Sequence, residues 1–243
     1  MRNSIPNKPA RPNHFTAPLR YFKRPLLATL DFFLPPTCLL CLAGTHSRQK
    51  AALCPACWGA LTPLGPDNPN VAAMLEDAGF DSFQAPFLYN EAAGGLVQKL
   101  KYNDGLRLAG FMAGQMVPSM PEGVDVLVPV PLHGGRLRQR KYNQSAALVW
   151  HLARETGIQR DLTTLQRTRH TTSQVGQPAK VRRKQLKDAF HAPADAFKGL
   201  RVALVDDVCT TGSTAHWCAV GLKKAGAKEV HLLTFAYVEP KLN

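Results

Sequence analysis

Beyond Asn70 the chain alternates between short apolar runs of strand length and longer stretches with apolar residues at helical spacing. Phe83 to Tyr89 and Val124 to Val130 (VDVLVPV) are strand-like, and Leu96 to Tyr102 and Leu106 to Val117 are helix-like. In Asn143 to Glu155, Leu148, Leu152 and the alanines recur at helical spacing. Val202 to Val205 has the character of a buried strand, and Val230 to Ala236 forms the last one. Between them Ser213 to Lys224 reads as a helix stopped near Gly226. Continuous apolar strands alternating with helices predict an α/β domain over residues 71–243, with a mostly parallel sheet covered on both faces.

Upstream the pattern differs. Residues 1–24 are basic, acid-free and dotted with prolines, and read as a disordered tail. Pro25 to Leu34 fits a short apolar helix ended by Pro35-Pro36. Thr62 to Asn70 is rich in Pro, Gly and Asn and reads as a linker. Between these lies a cysteine-bearing segment, so residues 25–62 form an expected small module. No apolar run approaches the ~18 to 20 residues that span a bilayer. No secretory signal is evident either, and the expected location is cytoplasmic.

Charge sharpens the picture. Thirty Lys and Arg face seventeen Asp and Glu, a net +13. The excess is concentrated: Pro131 to Phe190 holds thirteen basic residues against Glu155, Asp161 and Asp188. Such a region suits a polyanion, either nucleic acid or a phosphorylated small molecule, and it equally suits a solvated basic face.

Cys38-Leu-Leu-Cys41 and Cys54-Pro-Ala-Cys57 form two CxxC pairs. Each places two thiolates on one metal, and four close a tetrahedral zinc shell. A stretch this short cannot build a core unaided, so metal ligation would supply its folding free energy. A closed shell has no open position, and the zinc is expected to be structural. Disulfides are the competing reading, disfavoured without a secretory signal. His46, between the pairs, reads as an exposed loop residue. Cys209 and Cys218 read as small apolar fillers.

The most specific chemistry lies in RVALVDDVCTTGST, Arg201 to Thr214. Asp206 and Asp207 follow a buried strand directly, which is costly unless a ligand, metal or donor uses them. Alternation would send them to opposite faces, so convergence on one ligand needs the strand to end and the chain to turn. Thr210, Thr211, Gly212, Ser213 and Thr214 permit that turn and bring hydroxyls and free N–H groups to a helix N-terminus, a ready phosphate cradle. Two acceptors for a sugar diol beside a phosphate cradle fit a ribose 5-phosphate. There is no Walker A pattern and no GxGxxG.

This segment resembles the phosphoribosyl pyrophosphate motif of type I phosphoribosyltransferases. VPVPLHGGRLRQRKYNQSAALVWHLAR (Val128 to Arg154) and LQRTRHTTSQVGQPAKVRRKQLKDAF (Leu165 to Phe190) resemble the ComF family of competence-associated proteins, also called GntX-like. The resemblance covers roughly residues 25 to 237. It implies a type I phosphoribosyltransferase architecture with a small N-terminal four-cysteine zinc module. It assigns the ribose hydroxyls to Asp206 and Asp207 and the 5-phosphate to Thr210 through Thr214, with magnesium on the diphosphate. Leu132, His133, Gly134 and Arg136 would form the pyrophosphate loop. Arg167, Gln174 and Arg182 match a mobile loop that closes over substrate, and Lys101 in QKLKYND is a further candidate. Lys141, Gln177 and Gln185 depart from the family pattern and bear on loop geometry.

Two functions compete. A phosphoribosyltransferase would pass the phosphoribosyl group to a nitrogen nucleophile and release pyrophosphate, chiefly through positioning and electrostatics. A binding protein would keep the pocket and engage single-stranded DNA during uptake, with a competence helicase as partner. Arg138, Arg140 and Lys141 are the candidate nucleic-acid contacts, with Tyr102 and Tyr142 as candidate stacking aromatics. A third reading makes the zinc module a docking adaptor.

Overall fold

The structure, a computed structural model, describes residues 37–45, 53–102, 105–132, 142–168 and 186–240. The expected tail, the apolar helix at Pro25 to Leu34, His46, and residues 133–141 and 169–185 of the pyrophosphate and mobile loops lie outside the described residues.

Eight strands are described: β1 (Ser82–Gln84), β2 (Phe87–Leu88), β3 (Val126–Pro129), β4 (Gln159–Arg160), β5 (Gln166–Arg167), β6 (Phe190–His191), β7 (Arg201–Cys209) and β8 (Glu229–Tyr237). The helices are α1 (Pro55–Gly59), α2 (Pro69–Leu75), α3 (Glu91–Tyr102), α4 (Gly105–Met116), α5 (Gln144–Thr156) and α6 (Ser213–Lys224), with a 3-10 turn at Val117–Ser119. The main sheet runs β1-β8-β7-β3-β4, with β2 also on β8, and every pairing in it is parallel. The mostly parallel α/β architecture is thereby confirmed from strand pairing. β5 and β6 form a separate antiparallel pair.

The central strands are apolar because both faces are covered. Val202 and Leu204 of β7 face a core built with Cys218 and Leu222 of α6, Phe190 and Phe83. Ala203 and Val205 face the other core, with Leu96 and Leu100 of α3, Met112 of α4, and Leu148 and Leu152 of α5. The zinc module joins this second core through Cys38, Leu53 and Leu61. It is docked on the sheet's helical layer: Leu40 sits against Gly95 of α3, and its carbonyl accepts from Lys99 Nζ at 2.5 Å.

Three expectations change. The strand expected over Phe83 to Tyr89 is two strands that pair with successive halves of β8. Pro86 lies between them and has no N–H to continue a ladder. The stretch read as a linker already holds the start of α2: Asn68 caps it by accepting from Asn70 N, with Pro69 in its first turn. The strand expected to stop at Val205 continues through the acidic pair to Cys209, with Asp206, Val208 and Cys209 still in register with β8.

Candidate functional site

The site begins with that continuation. Along β7 the two faces alternate as far as Val205, yet Val208 packs with the α3/α5 core and Cys209 with the α6 core. The alternation therefore changes phase across Asp206 and Asp207. Convergence of the acids does not require the strand to end. Asp206 accepts from Ser145 Oγ on α5 at 2.8 Å and from Asp207 N at 2.9 Å, both on Oδ1. Asp207, 6% exposed, has Lys101 Nζ of α3 at 3.0 Å from Oδ2. That contact is an ion pair at a distance but not in hydrogen-bond alignment, because Oδ2 accepts no hydrogen bond. Two helices from the same layer thus supply one donor and one charge to the pair.

Burial, then the neighbouring Asp207 charge, push the Asp206 carboxyl up to about 7; Ser145, the Asp207 N–H and Lys101 pull the other way. The residue retains some exposure, so a ligand can reach it.

After Cys209 the chain turns through Gly212, which has φ +66° and caps α6. That backbone suits glycine. Thr210 and Thr211 are exposed and Ser213 is buried, with Thr211 Oγ1 and Ser213 Oγ 2.9 Å apart. Asp206 and residues 210–214 line one small cavity of about 80 Å³ at the carboxyl end of β7. Open parallel sheets bind ligands at that edge. α6 adds the positive end of its dipole there and carries Lys223 and Lys224 in its last turn.

Asn143 caps α5 by accepting from Ser145 N, and its Nδ2 donates to Val130 O at the end of β3. This places Ser145 beside the sheet edge. Tyr142 donates its hydroxyl to Leu100 O. Leu132 follows β3 on the same edge. His133, Gly134, Arg136, Arg138, Arg140 and Lys141 lie outside the described residues, as do Gln174 and Arg182. Arg167 sits on β5 with its guanidinium over the Phe190 ring at 5.5 Å. Ser145 escaped the sequence reading. Its only local signal is the Asn two residues before it, which marks a helix start and not a partner.

The four module cysteines converge, with all Sγ atoms within 4.8 Å of one another. Cys41 and Cys54 Sγ lie 3.7 Å apart. That is far beyond the ~2.05 Å of a disulfide. Four sulfurs tetrahedral about zinc at ~2.3 Å stand ~3.8 Å apart, which the observed separation matches. Burial raises the Cys38 thiol, but N–H donors, including those of Cys54 and Leu40, outweigh it and bring it down to about 6. Cys57 is pushed up to about 12 by burial and then by its fellow thiols. The four cannot all ionise without a cation among them, so the residues fit zinc. A larger cleft of about 890 Å³ separates this module from the start of α3, but its described lining holds Glu91 and no Lys or Arg. It does not suit a polyanion.

A family model for the double zinc ribbon domain matches residues 29–69. Only four cysteines fall in that span, so cysteine ligands suffice for one zinc. DNA utilization protein YhgH of Salmonella typhimurium is 30% identical over 203 residues, covering 80% of this chain and 87% of the relative. This chain belongs to the ComF/YhgH family. Within the ComF/YhgH family, Competence protein F of Haemophilus influenzae is 40% identical over 110 residues, spanning 44% of this chain and about half (48%) of the relative's length. Among solved structures, a glutamine phosphoribosylpyrophosphate amidotransferase from B. subtilis is 24% identical with TM-score 0.39, over 56% of this chain and 30% of that one. An adenine phosphoribosyltransferase from Trypanosoma brucei is 16% identical with TM-score 0.32, over 70% and 69%. No described helix is long and apolar enough to cross a membrane.

Proposed function

We propose that this ComF/YhgH family member binds a ribose 5-phosphate group, of the phosphoribosyl pyrophosphate class, at the carboxyl end of β7. One observation carries the reading: Asp206, held by Ser145 and adjoining the Lys101-paired Asp207, shares a cavity with the hydroxyl loop that opens α6. The ionised carboxylates accept the ribose hydroxyls, and the N–H groups and hydroxyls of residues 210–214 take the phosphate. Magnesium, a hard cation suited to oxygen donors, would enter with the diphosphate.

The relatives' printed names, Competence protein F and DNA utilization protein, support a role in the uptake or utilisation of DNA. The net charge of +13 supports a polyanionic partner, with single-stranded DNA as the candidate. In this reading the zinc module at residues 25–62 and the domain at residues 71–243 act as one body.

The test is calorimetric titration with phosphoribosyl pyrophosphate and magnesium. Binding by the parent chain, lost in Asp206→Asn/Asp207→Asn, is expected; equal affinity in both refutes the assignment. Release of pyrophosphate from the bound compound with a nucleobase or an amine would mark the chain as a transferase.

A further inference from the structure

Two adjacent buried carboxylates repel, and each needs a compensating partner to stay charged. Asp206 has two donors on Oδ1, from Ser145 and the Asp207 N–H. Asp207 Oδ2 is buried and accepts no hydrogen bond, and the positive group beside it is Lys101 Nζ at 3.0 Å. The Lys101 side chain is 24% exposed against 8% for Asp207, so the pair is largely shielded from solvent and from salt.

The ammonium is delivered by a well-anchored helix. Leu96 and Leu100 of α3 are fully buried. Leu100 O accepts from the Tyr142 hydroxyl, and Lys99 is tied to Leu40 O of the zinc module. Lys101 lies in the last turn of α3, where the helix dipole also favours a cation. It is therefore a fixed charge more than a mobile surface lysine.

We propose that Lys101 is the resident counter-cation of the acidic pair, a positioning residue that offsets the charge of Asp207, eases ionisation of Asp206 and so sets the pH range in which the site accepts a ribose diol. The second half of this rests on the ribose-phosphate reading above. A protonated carboxyl gives up acceptor capacity for a diol hydroxyl. The high position of the Asp206 titration leaves little margin at neutral pH, and Lys101 is one of three groups that lower it.

The other groups around the pair do not supply that charge. α5 contributes the uncharged Ser145. β7 contributes the Cys209 thiol, pushed up to about 12 by burial and then by Asp206, and therefore neutral. α6 contributes Cys218, pushed well above the usual thiol range by burial and by the charge of Asp206. Arg167 on β5 acts electrostatically on Cys218 from the α6 side. Lys101 is the charged partner of Asp207 among the described residues.

The test uses the full zinc-loaded chain with aspartate carboxyls labelled with carbon-13, titrated by NMR without ligand. In Lys101→Met the carboxyl midpoint of the pair should rise by about one unit or more, and Lys101→Arg should restore it. Ribose 5-phosphate affinity near neutral pH should fall about tenfold in Lys101→Met and recover as the pH is raised, with the parent profile kept in Lys101→Arg. If Lys101→Met does not fold, Lys101→Gln, which keeps a donor without the charge, carries the same expectation. An unmoved midpoint in a folded variant overturns the proposal, as does an affinity loss equal at every pH. A moved midpoint, with no ribose 5-phosphate bound by the parent chain at any pH, upholds the charge relation and overturns the ligand reading.

Discussion

The Ser145 hydroxyl donates to Asp206 Oδ1 at 2.8 Å across 61 residues of sequence. A buried hydrogen bond to a carboxylate is stronger than a neutral one, and its loss leaves the acceptor partly desolvated without compensation. Ser145→Ala should therefore destabilise the chain by about 2 kcal/mol. The loss should be larger above neutral pH, where Asp206 is charged, than in mild acid. Urea unfolding of both chains on either side of neutrality measures the difference.

Asp206 itself opposes stability at neutral pH. Its folded carboxyl titrates at about 7 against an ordinary 3.8, chiefly through burial and then through the charge of Asp207. Between those values the folded chain holds the proton that the unfolded chain releases. Stability contributed by this group thus falls as pH rises through that window and levels off above it. Asp206→Asn should flatten the fall and raise the melting temperature at neutral pH while abolishing ribose-phosphate binding. Paired melting curves across the window check the sign; a variant less stable than the parent above neutral pH would contradict it.

Gly212 takes φ +66° as the cap of α6. An alanine Cβ there would meet Met74 Sδ at 3.4 Å and Phe80 Cζ at 3.5 Å, ordinary contacts, so the strain is in the backbone. Gly212→Ala should cost about 1–2 kcal/mol. It should also weaken inorganic phosphate binding at the loop, whereas a control such as Gly59→Ala, where nothing lies within 4 Å of the added Cβ, should leave phosphate binding unchanged. Phosphate titration alongside thermal melts separates the two effects.

Zinc removal should be felt at α3. Leu40 sits between the first two cysteines, packs on Gly95 and takes the Lys99 hydrogen bond. Trp58 follows Cys57 and meets Phe111 edge-on, with centroids 6.1 Å apart. A strong chelator should release about one zinc per chain, shift Trp58 fluorescence and lower the melting temperature, because ligation supplies the module's folding free energy. Zinc release without any fluorescence change would show that the module does not depend on its metal. Gly95→Val, which drives a side chain into Leu40 Cδ1 from a Cβ position already 2.7 Å away, should loosen the docking while the four cysteines remain.

Much of this was legible in the chain. The apolar run Val202 to Leu204 is fully buried at the middle of the sheet, and Ser213 to Lys224 is the helix its spacing implied. Runs buried on both faces carry a signal that needs no knowledge of neighbours. The short elements were not legible. β4 is exposed along its length and two residues long, so no apolar period marks it. The β5–β6 pair joins residues on either side of a long polar segment, and only proximity in the folded chain makes them strands.

At the site the division is sharper. Two CxxC pairs, Asp206-Asp207 and the run Thr210 to Thr214 are local patterns, and their chemistry follows from residue type and spacing alone. The sequence by itself determined the four-cysteine set, and it placed the acidic pair directly before the hydroxyl-rich helix start from which the ligand proposal is drawn. Only the tertiary structure decided that β7 runs on through the acids with a change of phase, that Ser145 and Lys101 arrive from two different helices, and that the zinc module rests on the helix carrying Lys101. Contacts between residues far apart in sequence depend on how the helical layer packs on the sheet. Charge in a buried site depends on those contacts, which no local pattern encodes.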